Sequence, residues 1–589
     1  MRAGTGAGTG TIADDGLASW SPFVVRRHER LSEVVSTLSN PPVDPELAKA
    51  SIDMAMAFVR ASNFPRAIEV ARSALDNGIV HPRLLDIRAY WLEQQDRDIE
   101  ALDDLNRAVQ LAPDDPQVRN AHGLVLMKLN RRREAIEAFR VLVALAPDKA
   151  SAHNSLGSAR VASGELDEGE RCFQKALELD PDFADAWAHL ADLERRRGRY
   201  KEAKVLCERA LALEPNSGQA LTTMASVCIS LEDFDQAETI LREQLIGNSE
   251  ILPIKRADGF CVFGDLRHAQ GRYDEAYYAF LDGNSARYRI FGPRLEPPGS
   301  ETSLTYAQWL AEEFAKADPS DWSVQTRRSP KDGRDGAIGH VFLIGFPRSG
   351  TTVLENILEN HPDVVALDER PLLETADKAF MQSTRGLERL TEITPAEIEE
   401  QRAIYWQNVR DHGAQVEGKL FLSKQPLDTL KLPLISRLFP DAKILFALRD
   451  PRDVVFGCFR RSYQMSPGLT EFVSLERCAR YYDVVMQLRE IYRRKLDLSW
   501  QDIRNEDLID DFETRMRAVC TFVGIPWNDD LQNYAEQARG RRIATPGSVQ
   551  IMKGINRDGV GQWRHYAKYM ESVIPILMPW VEKFGYVRE

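Results

Sequence analysis

Apolar residues along the chain follow two rhythms. From about residue 45 to 285 they recur at helical spacing in paired stretches. The phrases AVQLAP, LVALAP, ALELDP and ALALEP end on prolines 113, 147, 181 and 215, at a constant interval of 34. Small residues (Gly123, Gly157, Ala191, Ala225) and bulky ones (Phe139, Phe173) keep the same register. The pattern is regular over about 117–240. Residues 45–82 and 84–113 read as two less regular units, and ADGFCVFGDLRHAQGRYDEAYYAF as a further one after an insertion near 246–256. Beyond residue 341 the rhythm changes to short apolar runs: Val341–Gly345, Val364–Leu367, Leu420–Ser423, Ile444–Leu448 and Leu498–Ile503. Amphipathic stretches separate these runs, which predicts parallel strands alternating with helices.

A period of 34, with small residues where two helices must approach closely, is the mark of tetratricopeptide repeats. The expected fold class is therefore α + α/β: a tetratricopeptide α-solenoid over 43–285, then a P-loop-like parallel-sheet domain over 341–589. Residues 1–42, beginning MRAGTGAGTGTIADDG, read as a disordered or partly ordered tail. Residues 286–340, with Pro, Gly, Ser and charges, read as a linker holding one helix around TYAQWLAEEFAK. Repeat arrays of this kind present a concave groove, usually to an extended peptide or partner helix. Two blander roles stand beside that one, bracing of the C-terminal domain and a homodimer contact.

Composition narrows the class of partner. The net charge is −13, with 34 Lys+Arg against 36 Asp+Glu in residues 341–589 and 42 against 53 before them. An acidic N-terminal part with no basic stripe elsewhere disfavours nucleic acid. No apolar run approaches the roughly 18 residues that span a bilayer. Seven scattered cysteines without CxxC spacing suit free thiols in a reducing cytoplasm and argue against structural zinc.

Candidate chemistry centres on VFLIGFPRSGTTVLENIL, a strand, a glycine loop and a helix. That order of elements lets backbone N–H groups and a helix N-terminus cradle an oxyanion. Gly345, Gly350 and Thr352 match the phosphate-binding pattern G-x-x-x-x-G-K-[ST], but Thr351 stands in the lysine position. Lysine is what reaches the β- and γ-phosphates of a nucleoside triphosphate. Without it the loop suits a single phosphate or sulfate group, held by N–H donors, Ser349, Thr351, Thr352 and the charge of Arg348. Ligands of parallel sheets sit beyond the strands' carboxyl ends. This adds Asp368, Glu369, Lys424, Arg449, Arg452 and Arg504 as candidates.

PRSGTTVLENILENHPDV, SKQPLDTL, ILFALRDPRDVV, RNEDLIDDFETRMRAVCTFVGIPW and GVGQWRHY together resemble the sulfotransferase family across 345–566. The resemblance is to bacterial members with an N-terminal tetratricopeptide array, related to the tyrosylprotein sulfotransferases. It implies an enzyme that moves a sulfuryl group from 3′-phosphoadenosine 5′-phosphosulfate (PAPS) to an acceptor hydroxyl, such as a protein or peptide tyrosine, with no metal. Arg348, Ser349, Gly350, Thr351 and Thr352 are implied to hold the phosphosulfate, and Lys424 to meet the bridging oxygen. Arg449 is implied to bind the 3′-phosphate. Glu369, 21 residues after Arg348, lies where the family places the catalytic base, with Asp368 as its rival. Gly457, Asn505, Ser548 and Trp563 fall at the remaining donor positions, Trp563 either stacking on the base or packing the core.

Four of those positions depart from the family. Gly457 replaces a serine, Asn505 a tyrosine, Gly547 a serine (with Ser548 adjacent), and Gln562 a basic residue. Arg452, Arg461, Lys553 and Arg557 are the candidate replacements. The alternatives to a PAPS-dependent tyrosine sulfotransferase are a non-catalytic repeat scaffold with a degenerate domain and a sulfotransferase for a glycan or small metabolite. A nucleotide kinase is disfavoured by Thr351.

Overall fold

A computed structural model describes residues 45–95, 97–129, 131–322, 336–463, 465–534 and 554–588. The N-terminal tail, 1–42, lies outside them. The chain divides into two compact units, Met1–Val141 and Leu142–Glu589.

Within the first unit, helices Pro45–Arg60 and Phe64–Asp76, then Pro82–Gln94 and Asp98–Leu111, form antiparallel pairs, and Pro116–Lys128 opens a third. Its mate, Arg132–Leu145, runs across the unit boundary. The second unit continues the series with Ala150–Ala162 and Leu166–Leu179, Ala184–Arg196 and Tyr200–Leu213, and Gly218–Ser230 with Phe234–Thr239. Pro253–Ala269 and Tyr273–Leu295 close it. The 34-residue register has a steric cause. A Cβ on Gly157 would come within 2.6 Å of the Phe173 ring, and one on Gly264 within 2.3 Å of the Phe280 ring. Gly123 faces Phe139 in the same way in the first unit, at 2.5 Å. Where the sixteenth residue on is the smaller Cys207 or Leu241, the first helix carries Ala191 or Ala225 instead, all four fully buried. Each buried ring removes apolar area worth roughly 2–3 kcal/mol, so the small residue opposite it sets the closeness of the pair.

The C-terminal part of the second unit is built on five parallel strands in the order β2-β3-β1-β4-β5. They are β1 (Gly339–Gly345), β2 (Val364–Asp368), β3 (Leu420–Lys424), β4 (Lys443–Leu448) and β5 (Ser499–Arg504). Alternate residues serve opposite faces. Val341, Leu343, Leu422 and Leu445 pack on one side with Leu354, Ile357, Met516 and Val519. Phe342, Ile344, Phe421, Phe446 and Leu448 pack on the other with Tyr405, Tyr482 and Val485. Burial on both faces is why these strands read as continuous apolar runs rather than alternating ones.

The segment 286–340 enters that second core. Helix Ser303–Lys316, capped at Thr302 by a reciprocal bond with Thr305, buries Ala307, Leu310 and Phe314 there. The Phe314 ring meets Tyr492 edge-on at 4.9 Å. The last repeat joins it as well, through Ala276 and Phe280. The same junction is tied by Asn284, whose amide donates to the Phe459 carbonyl at 2.8 Å.

Candidate active site

β1 lies at the centre of the sheet, between β3 and β4, and its loop emerges between them. Gly345 is required there, because a Cβ would sit 2.8 Å from both the Ala447 carbonyl and Ser349 Oγ. Gly350 takes φ +100° as the N-cap of helix Thr351–Glu359. A side chain at Gly350 would also meet Asn505 Oδ1 at 2.8 Å, which places Asn505 against the loop. Arg348 adopts φ +72°, in the left-handed region, although it is not glycine. Such a conformation costs an L-residue roughly 1–2 kcal/mol. The first-turn N–H groups of Thr351 and Thr352 have no partner within their own helix. Among the described residues, Arg348 Nε, Ser349 Oγ and Arg449 Nε are buried without a hydrogen-bond partner. Buried donors are normally satisfied. Three orphans around one glycine loop fit an oxyanion, so the residues present suit the phosphosulfate of the donor.

Lys424 closes β3 and is fully buried. In register it stands beside Leu343 of β1 and Asp368 of β2. Its Nζ donates to Glu369 Oε1 at 2.9 Å and lies 3.3 Å from Glu355 Oε2. Glu369 is anchored through its backbone, whose N–H donates to the Lys424 carbonyl at 2.8 Å, and it too takes a positive φ, +46°. The Asp368 side chain lies outside the described part of the structure. Arg370 follows, and its guanidinium donates at 2.6 Å to the carbonyl of Ser163, in the turn after repeat helix Ala150–Ala162. Glu355 is not among the residues that the sequence motifs single out. It lies one turn into the helix, on the stripe formed with Thr351, Leu354 and Leu358, and a carboxylate on an otherwise buried stripe is the signal that could have found it.

At the end of β4, Arg449 donates to the Arg348 carbonyl at 3.2 Å and to the Gly559 carbonyl. The two acids of RDPRD are engaged elsewhere. Asp450 holds Arg452 through two bonds of 2.9 and 2.8 Å. Asp453 accepts from the backbone N–H groups of Gly561 (2.6 Å) and Trp563 (3.0 Å). Burial pushes the Asp453 carboxyl up, against the pull of Arg449 and those two bonds. Arg452 is fully committed: it also reaches the Val587 and Arg588 carbonyls and lies 4.1 Å over the Trp563 ring. It is a structural clamp, not a replacement donor contact. Trp563 is 5% exposed and belongs to the core cluster. Arg557 pairs with Asp510. Arg461 stays near the loop, its basicity lowered by burial and then by Arg348. Gly457 faces Arg348, with room for a side chain: an added Cβ would lie 3.5 Å from Arg348 Cβ and 3.8 Å from its Nε. His361 sits in the turn before β2, accepting from the Asp363 N–H (3.1 Å) and bonding the Pro526 carbonyl (3.0 Å). Ser548 and Lys553 lie outside the described residues.

A parallel sheet whose central strand opens into a lysine-free anion loop, with Arg348, Lys424 and Arg449 at neighbouring strand ends, defines a group-transfer domain for an anionic group. Residues 340–529 match the sulfotransferase family. Residues 52–116, 150–183, 172–205 and 194–246 match tetratricopeptide-repeat models. The chain is 25% identical over 284 residues to protein-tyrosine sulfotransferase A of Caenorhabditis elegans, covering 45% of this chain and 73% of that one. It is 24% identical over 266 residues to protein-tyrosine sulfotransferase 2 of Gallus gallus, covering 42% and 69%. An uncharacterized protein of Aquifex aeolicus is 26% identical over 251 residues, 41% of this chain and 33% of its own length. A tetratricopeptide repeat protein of Parabacteroides merdae of known structure is 18% identical, covering 41% of this chain and 94% of that one, with a TM-score of 0.35. The C-terminal domain carries the sulfotransferase-family match, and the tetratricopeptide repeats precede it.

Proposed function

We propose that this protein transfers a sulfuryl group from PAPS to an acceptor hydroxyl, with a protein or peptide tyrosine as the acceptor. The observation that carries the reading is the fully buried Lys424 hydrogen-bonded to Glu369 beside a loop with three orphaned donors. PAPS supplies a sulfuryl group already activated on phosphate. In this reading Arg348, Ser349 and the N–H groups of the loop hold the phosphosulfate oxygens, and Arg449 meets the 3′-phosphate. Lys424 supplies a fixed cation where negative charge grows on the bridging oxygen as the S–O bond breaks. Glu369, with about half its side chain exposed (53%), faces outward to take the acceptor proton as the new S–O bond forms. The names of the animal relatives support tyrosine, and the repeats support a peptide-bearing acceptor.

Calorimetric titration with PAPS, its desulfated product adenosine 3′,5′-bisphosphate and ATP tests the donor. Binding of the first two without ATP is expected. No binding of any of them would make the domain a degenerate scaffold. Sulfate transfer from labelled PAPS into a lysate, fractionated into protein, glycan and small-molecule pools, tests the acceptor. Label confined to the glycan or metabolite pool would overturn the tyrosine reading.

A further inference from the structure

Among the described side chains, Lys424 faces two carboxylates, and they differ in kind. Glu369 lies on the loop after β2, with its side chain 53% exposed. Glu355 lies on helix Thr351–Glu359, with its side chain 5% exposed, and approaches the ammonium at 3.3 Å. Once Glu369 takes the acceptor proton it is neutral, and its charge no longer balances the ammonium. If Glu369 were the sole carboxylate on it, the fully buried Lys424 would lose its protein counter-charge at each turnover, which is unfavourable. The buried carboxylate removes that obstacle. We propose that Glu355 is a positioning residue for sulfuryl transfer: it holds Lys424 charged and in place from the buried side while Glu369 takes up the acceptor proton.

The inference rests on the donor reading above, yet the geometry has consequences of its own. Glu355 cannot follow the acceptor, because it is enclosed by the helix and by β3. Glu369 can, because it is exposed. The two carboxylates therefore divide one task, a fixed counter-charge and a mobile base. The helix that carries Glu355 begins at the anion loop, so the position of Lys424 is referred to the same rigid element that presents the loop N–H groups.

The test uses the full chain and the variants Glu355→Gln, Glu355→Asp, Lys424→Met and the double variant Glu355→Gln/Lys424→Met. Stability to chemical denaturation is measured first, without any ligand. Glu355→Gln is expected to destabilise the protein while Lys424 is present and to have little effect in the Lys424→Met background. The double variant removes both charges and folds if the single ones do not. Equal destabilisation in both backgrounds would overturn the proposal. Adenosine 3′,5′-bisphosphate is then titrated into wild type and Glu355→Gln, and transfer from PAPS to a small phenol is followed. The affinity is expected to hold within about threefold while kcat falls roughly 10- to 100-fold, the usual loss when a supporting partner is removed. Glu355→Asp is expected to restore most of kcat. A kcat within about twofold of wild type in Glu355→Gln, or a loss confined to KM, would overturn the proposal. A wild type that fails to bind the bisphosphate sinks the donor reading instead, and the stability cycle alone then decides whether Glu355 holds Lys424.

Discussion

Arg348 and Glu369, both given parts in the proposed transfer, have left-handed backbones, φ +72° and +46°. Strain of this kind persists only where surrounding contacts over-determine it. At Glu369 those contacts are the bonds to the backbone and side chain of Lys424. Glu369→Gln keeps the size and the hydrogen bond but removes the base, and turnover is expected to fall roughly 10²–10⁴-fold, with bisphosphate affinity changed little. Rates from a phenol acceptor check it. Full activity in Glu369→Gln with Asp368→Asn inactive would move the base to Asp368. Gly457→Ser is expected to act in the opposite direction. The added side chain meets Arg348 at ordinary contact distance, and a hydrogen bond to a charged phosphate oxygen is worth roughly 1.5–3 kcal/mol. Affinity for the bisphosphate should rise about tenfold, and replacing a mid-helix glycine should add about 0.5 kcal/mol of stability. Unchanged affinity would show that Arg449 and its neighbours already satisfy that phosphate.

The repeat elements show the same left-handed requirement without the function. Gly164 and Gly198 take φ 88° and 75° in the turn between paired helices, and 34 residues on the turn is filled by Glu232 at φ 61°. Glu232→Gly relieves roughly 1–2 kcal/mol of strain and returns about 0.4–1 kcal/mol through unfolded-state entropy. Denaturation is expected to show a net gain of about 0.5–1 kcal/mol, and a loss would mean that Glu232 makes a stabilising contact. In the last repeat, His268 bonds Tyr566 Oη at 2.8 Å and accepts from Arg460 at 3.3 Å. Burial, then Arg460, lowers it to about 4 from 6.5. A histidine whose folded value lies below its unfolded value contributes fully above pH 6.5, and that contribution is lost as pH falls toward 4. Melting temperature is expected to drop more steeply across that window in wild type than in His268→Gln, and parallel curves would remove His268 as the cause. These elements were largely legible beforehand. Strands buried on two faces leave apolar runs, and β1 to β5 each lie within two residues of the predicted limits. The polar residues that close β2, β3 and β5 fell outside those runs, because Asp368, Lys424 and Arg504 carry no hydrophobic signal. The commitment of Arg452 was hidden too, since its partners at Val587 and Arg588 lie about 135 residues away in sequence. Helix Ser303–Lys316 was visible, but its burial depends on Tyr492 and the sheet, which composition cannot report.

At the scale of the molecule, the second compact unit joins four helix pairs to the transferase sheet. A chain lacking 45–131 is expected to fold and to transfer sulfate to a small phenol at the wild-type rate. A chain lacking 45–240 loses Ser163, the partner of Arg370 beside Glu369. Because small misplacements of a reacting group are costly, its rate should drop at least about tenfold. Equal rates for the two truncations would show that the Arg370 contact does not position the base. The contact between Arg370 and Ser163 also bears on descent. Solenoids lengthen and shorten by gaining or losing whole units, and a unit inserted between Ser163 and the last repeat would carry that carbonyl away from the loop it braces. If that contact serves transfer, selection would leave the repeat number ahead of residue 142 free to vary and hold the count from residue 150 onward constant.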